Sequence, residues 1–325
     1  MKVVLFGGTG FVGLNVAAAL LARGHRAILF DRAGVPDGAR RSFADAANRL
    51  DIVQGDVTDK AAIETVIAAG CDAIVLGAAI TAGAARDASD PETILRVNLL
   101  AQVPILEAAR RHNVKKIINL SSAAAYGAAG QRVSLLEEDT ACDPVSLYAI
   151  TKFASERVAA RLADLWDCDI VSVRLSGGVF GPWERGGGLR DTPSPQAQML
   201  AAFAQGRPAI LPRPSVKDWI YAPDVADAVV VLLEAARSRH RLYNISTGAE
   251  WPALQWGEAF AALHSGLVCR LAAPGEDSNI DPHGPERAPL SVARLEQEFG
   301  WRARFGCAES AAALSDWWMQ FGGRG

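Results

Sequence analysis

Three polar side chains near the middle of the chain have the types and spacing for moving a proton on or off an oxygen. Tyr148 and Lys152 stand four residues apart at the start of a helical stretch, YAITKFASERVAARL, so they share one helix face one turn apart. A phenol ordinarily titrates near roughly 10, too high for a base at neutral pH. An ammonium one turn away favours the phenolate and draws that value toward the working range. Ser122, at the end of the strand-like run in INLSSAAAYG, can hydrogen-bond the oxygen whose proton the tyrosine moves. A Tyr-x-x-x-Lys pair by itself is often no more than an amphipathic helix pair. What gives it weight is the glycine run at the start of the chain.

That run, VVLFGGTGFVG, puts Gly7, Gly10 and Gly13 directly after a strand and at the opening of a helix, with Phe11 and Val12 in its first turn. The first glycine permits a tight turn, the second lets the backbone approach a pyrophosphate, and the third lets helix and strand pack closely. The helix N-terminus adds unpaired N–H donors and a partial positive charge. Asp31 ends the second strand, 18 residues beyond Gly13. A carboxylate there accepts hydrogen bonds from both ribose hydroxyls of an adenosine and repels a 2'-phosphate, which favours NAD over NADP. The adjacent Arg32 works the other way, since an arginine can accommodate that phosphate. After the third strand, Asp56 is placed to meet the adenine edge and Val57 to pack on its face. After the fourth, Ala78 and Ala79 are small enough for the backbone to pass close to the cofactor. Taken alone, these two loops also fit ordinary turn chemistry. A nicotinamide cation near Tyr148 adds to the pull on the phenol, and Lys152 can hold the nicotinamide ribose.

The elements that must position these groups are legible as strand and helix alternation. Strands are expected at Lys2 to Phe6, Arg26 to Asp31, Asp51 to Gln54, Ala73 to Leu76, Lys116 to Leu120 and Ile170 to Leu175. They are near-continuously apolar, as parallel strands buried on both faces are. Alanine-rich helical stretches such as Leu14 to Arg23 and Thr93 to His112 lie between them. The pattern implies an α/β fold, a Rossmann doubly wound parallel sheet over residues 1–175. Beyond it Gly and Pro become frequent, and seven of the eight tryptophans lie past residue 180. Residues 176–325 therefore read as a smaller α/β substrate lobe, partly interleaved with the sheet and closing one side of a pocket.

Composition narrows the partners. A net charge of −3 over 325 residues argues against a nucleic-acid binder, which needs a concentrated basic face. The basic cluster Arg237 to Arg241 reads as a solvated helix end. The five cysteines, Cys71, Cys142, Cys168, Cys269 and Cys307, form no CxxC pair and suggest neither a disulfide framework nor a zinc site. They fit a reducing cytoplasm. No apolar run is long enough to span a bilayer, and no signal peptide is expected.

Together these residues resemble the extended short-chain dehydrogenase/reductases, in particular the NAD-dependent epimerase/dehydratase group. GGTGFVG, Asp31, GDV at Gly55, Asn98, SSAAAYG, YAITK, VFGP at Val179, KDWIYAPDVADAV, YNISTG and the late FGW at Phe299 fall in that family's order. The resemblance gives Ser122, Tyr148 and Lys152 the catalytic roles, choosing Ser122 over Ser121 because it lies four before Tyr126. It makes Asn98 the residue that orients the active-site helix and the lysine, and it implies a homodimer.

Two departures bear on the substrate. Nucleotide-sugar members carry Asn before the VFGP turn, where this chain has Gly178. They also carry an arginine before the last helices, where this chain reads SNIDPHGPERAPLS, with Arg287 displaced from the usual spot. Their Arg-Asp pair appears as Lys217 and Asp218, a cation without the bidentate fork. The expected substrate contacts are Ser122, Tyr148, Gly178, Trp183, Lys217 and Arg287, with Trp219 and His283 as further lobe candidates.

Because the diphosphate partners are thinned, the first expectation is a dehydrogenase oxidising a hydroxyl of a small sugar, sugar acid or polyol. A nucleotide-sugar epimerase that recycles NAD is the alternative, and a non-catalytic NAD(H)-sensing protein a distant third. Dehydration is disfavoured because SAAAYG has no carboxylate. Tyr148→Phe should nearly abolish turnover while leaving NAD affinity intact. Steady-state rates beside NAD titration check this, and retained activity would remove the tyrosine from its acid–base role.

Overall fold

The structure is a computed structural model that describes residues 1–81, 83–184, 193–282, 284 and 286–322. Successive side chains of a strand point to opposite faces, and here both faces are covered. In β1 (Lys2–Phe6), Val3 and Leu5 enter one core while Val4 and Phe6 enter the other. β2 (Arg26–Asp31) splits the same way, with Leu29 on the first side and Ile28 and Phe30 on the second. Fully burying one such side chain stabilises the fold by about 1.5–3 kcal/mol, and a one-residue slip would send each into the opposite core, where the packing is not fitted to it.

With β3 (Leu50–Gln54), β4 (Ala73–Leu76), β5 (Lys116–Ser122), β6 (Asp169–Leu175) and β7 (Leu242–Ile245), these strands form one seven-stranded sheet. The order is β7-β6-β5-β4-β1-β2-β3 and every pair is parallel. Helices α1 (Phe11–Ala22) and α5 (Ala222–Glu234) cover the first face. Helices α2 (Lys60–Ala68), α3 (Gln102–Arg111) and α4 (Leu147–Trp166) cover the second. The strand order reverses between β1 and β4, so their carboxyl ends flank a crevice suited to a dinucleotide.

Two features differ from the sequence expectation. β3 is not buried on both faces: it is the sheet edge, and Asp51, Ile52 and Gln54 are exposed. The stretch expected as one helix from Thr93 to His112 is broken. Helical turns at Pro91–Leu95 lead into a π-turn at Arg96–Leu100, closed by Ala101 N–H to Arg96 O at 2.9 Å, before α3 begins. The seventh strand and α5 come from the second half of the chain, so residues beyond 175 complete the sheet as well as building the lobe.

The lobe has its own aromatic core, with Phe180, Trp219, Tyr221, Trp251, Trp256 and Phe260 buried together. Short strand pairs frame it, among them Val179–Phe180 with Ile220–Tyr221 and Val216–Lys217 with Trp251–Pro252. No helix of the described residues is long and apolar enough to cross a membrane.

Sheet and α4 are locked by a buried ion pair. Arg174 of β6 donates to Glu156 of α4 through Nη2 at 2.7 Å and Nε at 2.9 Å, and Ser121 of β5 donates to the same carboxylate. The Arg174 guanidinium lies 4.3 Å from the Tyr126 ring centroid, and Tyr126 Oη donates to Asn244 of β7 at 2.8 Å. One network thus ties β5, β6, β7 and α4. Glu156→Ala strands the arginine charge in the core and should lower stability by about 3–5 kcal/mol in urea unfolding. A loss below about 1 kcal/mol would mean that other groups satisfy Arg174.

Candidate active site

The carboxyl ends of β1 to β6 open onto a cleft of about 470 Å³. At its adenosine end the chain turns at Gly7, with φ of +81°, and a Cβ there would fall 2.6 Å from Ala78 N. A Cβ on Gly13 would fall 2.4 Å from Gly7 O. Turn, helix and β4 loop therefore approach as closely as they do only because these positions carry no side chain. The first turn of α1, through Phe11 and Val12, also lines the cleft and directs the positive end of the helix toward it.

Asp31 accepts from Thr9 N–H at 3.1 Å on one oxygen and from Ala33 N–H at 3.2 Å on the other. Each oxygen keeps a second lone pair for a ribose hydroxyl. Arg32 Nη1 lies 3.5 Å from Asp56 Oδ2. Burial pushes the Asp56 carboxyl up, but the Thr58 amide and hydroxyl, with Arg32, hold it below the usual carboxylate range. Arg32 is thereby drawn toward Asp56, and a 2'-phosphate at the ribose would meet the Asp31 carboxylate. Val57, Ala78 and Ala79 line the same end. A glycine cradle, a helix N-terminus and an Asp31 with spare lone pairs fit NAD.

Ser122, Tyr148 and Lys152 come together in the same cleft. Ser146 caps α4, its Oγ accepting from Ala149 N–H at 3.2 Å, and Asp87 Oδ2 accepts from Leu147 N–H at 3.0 Å. Tyr148 is the second residue of that helix, where the N-terminal dipole favours negative charge on the phenol oxygen. The Lys152 ammonium lies 5.8 Å from the Tyr148 ring centroid and donates to Leu120 O at 2.7 Å. Burial pushes its pKa down to about 8, against the attraction of Glu156 one turn on. Of the two serines, Ser121 commits its hydroxyl to Glu156, whereas Ser122 Oγ accepts from Ala124 N–H at 3.1 Å.

Asn98 sits in the π-turn and does not bond the lysine. Its Oδ1 accepts from Ile80 N–H at 2.8 Å, and its Nδ2 donates to Ile80 O at 3.0 Å and to Thr151 Oγ1 at 3.3 Å. It therefore ties the loop after β4 to α4 through the residue before Lys152. The π-turn supplies the extra residue that turns this amide inward.

The substrate candidates are only partly gathered. Arg287, remote in sequence, is brought back behind the cleft-lining Gly177: its Nη2 lies 3.3 Å from Asp218 Oδ1, and a Cβ on Gly177 would fall 3.4 Å from it. Asp218 is the buried hub that holds it there, also accepting from Ser176 Oγ at 3.1 Å, Ser246 Oγ at 2.7 Å and Leu290 N–H at 3.1 Å. Lys217 is close enough to Arg287 and Arg213 to feel both charges.

Gly178 stands off the cleft. Its N–H donates to Ser176 Oγ at 3.1 Å, and a Cβ on it would fall 2.5 Å from Trp219 Cε3. Trp219 is fully buried, with Nε1 donating to Ser215 O at 3.2 Å, so it belongs to the lobe core. Trp183 is also core, packed 5.5 Å from the Phe43 ring and 6.0 Å from that of Trp317. His283 lies outside the described residues. Ser176, Gly177, Thr81, Arg86 and Thr93 line the cleft without having been expected to. Ser176, Gly177 and Thr81 sit in loops and Arg86 and Thr93 in short helical turns, where no periodicity marks them. The one available signal was that Ser176 and Gly177 directly follow β6.

Comparison with known proteins agrees with this geometry. The chain shares 26% identity with UDP-glucose 4-epimerase of Mycolicibacterium smegmatis, over 96% of each chain. Its fold matches that of UDP-N-acetylglucosamine 4-epimerase from Methanobrevibacter ruminantium, solved with UDP-N-acetylmuramic acid, with a TM-score of 0.81 at 20% identity over 98% of each chain. It also matches UDP-glucuronic acid 4-epimerase from Bacillus cereus, solved with NAD, with a TM-score of 0.75 at 17% identity over 99% of each chain. The model of the NAD dependent epimerase/dehydratase family matches residues 3–246. The chain therefore belongs to the NAD-dependent epimerase/dehydratase family, a group of extended short-chain dehydrogenase/reductase enzymes.

Proposed function

We propose that the chain is a nucleotide-sugar epimerase, which oxidises one ring hydroxyl and re-reduces the same carbon from its other face. The observation that carries this reading is the Arg287 guanidinium, held by the buried Asp218 directly behind Gly177, which lines the cleft beyond the catalytic residues. Burial, then the charges of Arg287 and Arg213, push the Lys217 ammonium down to about 8, with Asp218 and Glu286 opposing. Arg287 and Arg213 are already paired with Asp218 at 3.3 Å and Glu286 at 2.9 Å, so what this end offers a diphosphate is guanidinium hydrogen bonds rather than an excess of positive charge. A free sugar or polyol brings no diphosphate to accept them. The nucleotide-sugar names of the relatives support the same choice over the dehydrogenase expected from the thinned sequence motifs. A dehydratase needs an acid and a base beside the sugar. Residues 123–125 are alanines, and among the described lining residues the only carboxylates are Asp31 and Asp56 at the adenosine end.

In this reading Tyr148 takes the proton of the sugar hydroxyl, its anion stabilised by Lys152 and the first turn of α4. Ser122 hydrogen-bonds the same oxygen. Bound NAD supplies the hydride acceptor for the first half and, once reduced, the donor for the second. Tyr148 then returns its proton to the carbonyl oxygen. Asp31 and the glycine turn hold the adenosine end, and Lys217 and Arg287 hold the diphosphate while the sugar turns over. The proposal includes a homodimer through the helices around Asn98 and Tyr148, where Leu100 and Ile150 stand 59% and 42% exposed. A monomer mass by light scattering would remove that part.

Purified protein with NAD should convert a UDP- or dTDP-hexose to its epimer with no net NADH. Arg287→Ala should raise KM for that substrate about tenfold or more, with NAD affinity within about twofold, as expected for one lost charge-assisted hydrogen bond. Stoichiometric NADH from a free sugar, with no epimer of any nucleotide sugar, would overturn the reading in favour of a dehydrogenase.

A further inference from the structure

A second cavity, of about 20 Å³, lies against Lys152. Four residues wall both this cavity and the main cleft, namely Val57, Ala78, Val97 and Lys152, so the lysine is the polar one between them. The remaining polar walls are Asn98, Gln102 and Asn119, against apolar Phe6, Leu76 and Ile105. A volume of this size suits one water molecule, provided the site offers polar partners.

The partners are there. Gln102, at the start of α3, is 6% exposed, and neither its Nε2 nor its Oε1 has a hydrogen-bond partner among the described residues. Buried carboxamides are seldom left so. Asn98 does not supply the need, because its amide is committed to Ile80 and Thr151. Asn119 Nδ2 already donates to Ser155 Oγ at 3.2 Å and Ser172 Oγ at 3.1 Å. The ammonium has three protons. One goes to Leu120 O, which leaves one for the cleft and one for the small cavity.

We propose that this cavity binds a single structural water, held by the Gln102 amide and accepting from Lys152 Nζ. Gln102 is thereby a positioning residue that fixes the ammonium beneath Tyr148. The water acts on the same side as Glu156 and against burial, since a bond accepted from the ammonium favours its charged form. The other groups facing the lysine are few. Its own helix presents Tyr148 and Glu156, and β6 presents Arg174 through Glu156. The π-turn, α3 and β5 present only the uncharged Asn98, Gln102, Asn119 and Ser122, and the walls from β1, β4 and the loop after β3 are apolar. The catalytic half of this inference rests on the proposed role of Lys152, while the water site does not.

A crystal structure of the NAD-bound protein tests the site directly. One water peak within about 3.2 Å of both Lys152 Nζ and the Gln102 amide is expected, and a cavity without it overturns the proposal. Gln102→Met keeps the length but not the amide. It should lose the peak and move the alkaline limb of kcat down by about one pH unit, with KM for both ligands within about twofold. Gln102→Glu, which restores an acceptor, should return the limb to its original place or above it. An unmoved limb in Gln102→Met, with Lys152→Met inactive, would overturn the positioning role alone. An active Lys152→Met would instead overturn the proposed catalytic assignment. If Gln102→Met does not fold, the water peak of the unsubstituted protein and the Gln102→Glu profile decide between these outcomes.

Discussion

Lys152 carries an ammonium into a nearly buried position at the cleft, and much of the fold around it bears on that charge. Desolvation disfavours an ammonium strongly. Against it stand the Leu120 carbonyl at 2.7 Å and the carboxylate of Glu156 one turn along α4. Glu156 is itself buried, and Arg174 and Ser121 hold its carboxyl in place. The charge at the reaction centre is thus balanced by a chain of groups that ends in the sheet. α4 cannot shift relative to β5 and β6 without breaking it.

The cleft carries different groups along its length. One end holds the carboxylates of Asp31 and Asp56, with Arg32 beside the second. The middle holds the phenol of Tyr148 and the hydroxyl of Ser122. Behind Gly177 at the other end, Arg287 is anchored on the buried Asp218. Each section is supplied by a different stretch of chain. The strand ends fix their spacing, which is why the sheet register matters more to the site than any one loop.

The legible part of the sequence was the part governed by local rules. The glycine turn, Asp31, Ser122 and the Tyr148–Lys152 spacing depend on one strand end or one helix turn each, and the strand limits followed from continuous apolar runs. The helix at Thr93 to His112 misled because a π-turn leaves the hydrophobic pattern almost intact while adding one residue. Arg287 misled in the opposite sense. Its distance from the family position in sequence is undone by a long-range ion pair with Asp218, which no local pattern reports. Gly178 and Trp183 were drawn toward the cleft by motif position and residue type, but packing against Trp219 and Phe43 claims them for the interior.

The Gly178–Trp219 contact couples two positions far apart in the chain. An indole occupies the space that any side chain at residue 178 would need, with no more than 2.5 Å between Trp219 Cε3 and a hypothetical Cβ. Neither position is then free to drift alone. Enlarging residue 178 requires a smaller ring at 219 first, and shrinking the ring alone opens a void in a dense aromatic core. The two positions therefore form an epistatic pair, each setting the size that the other can take.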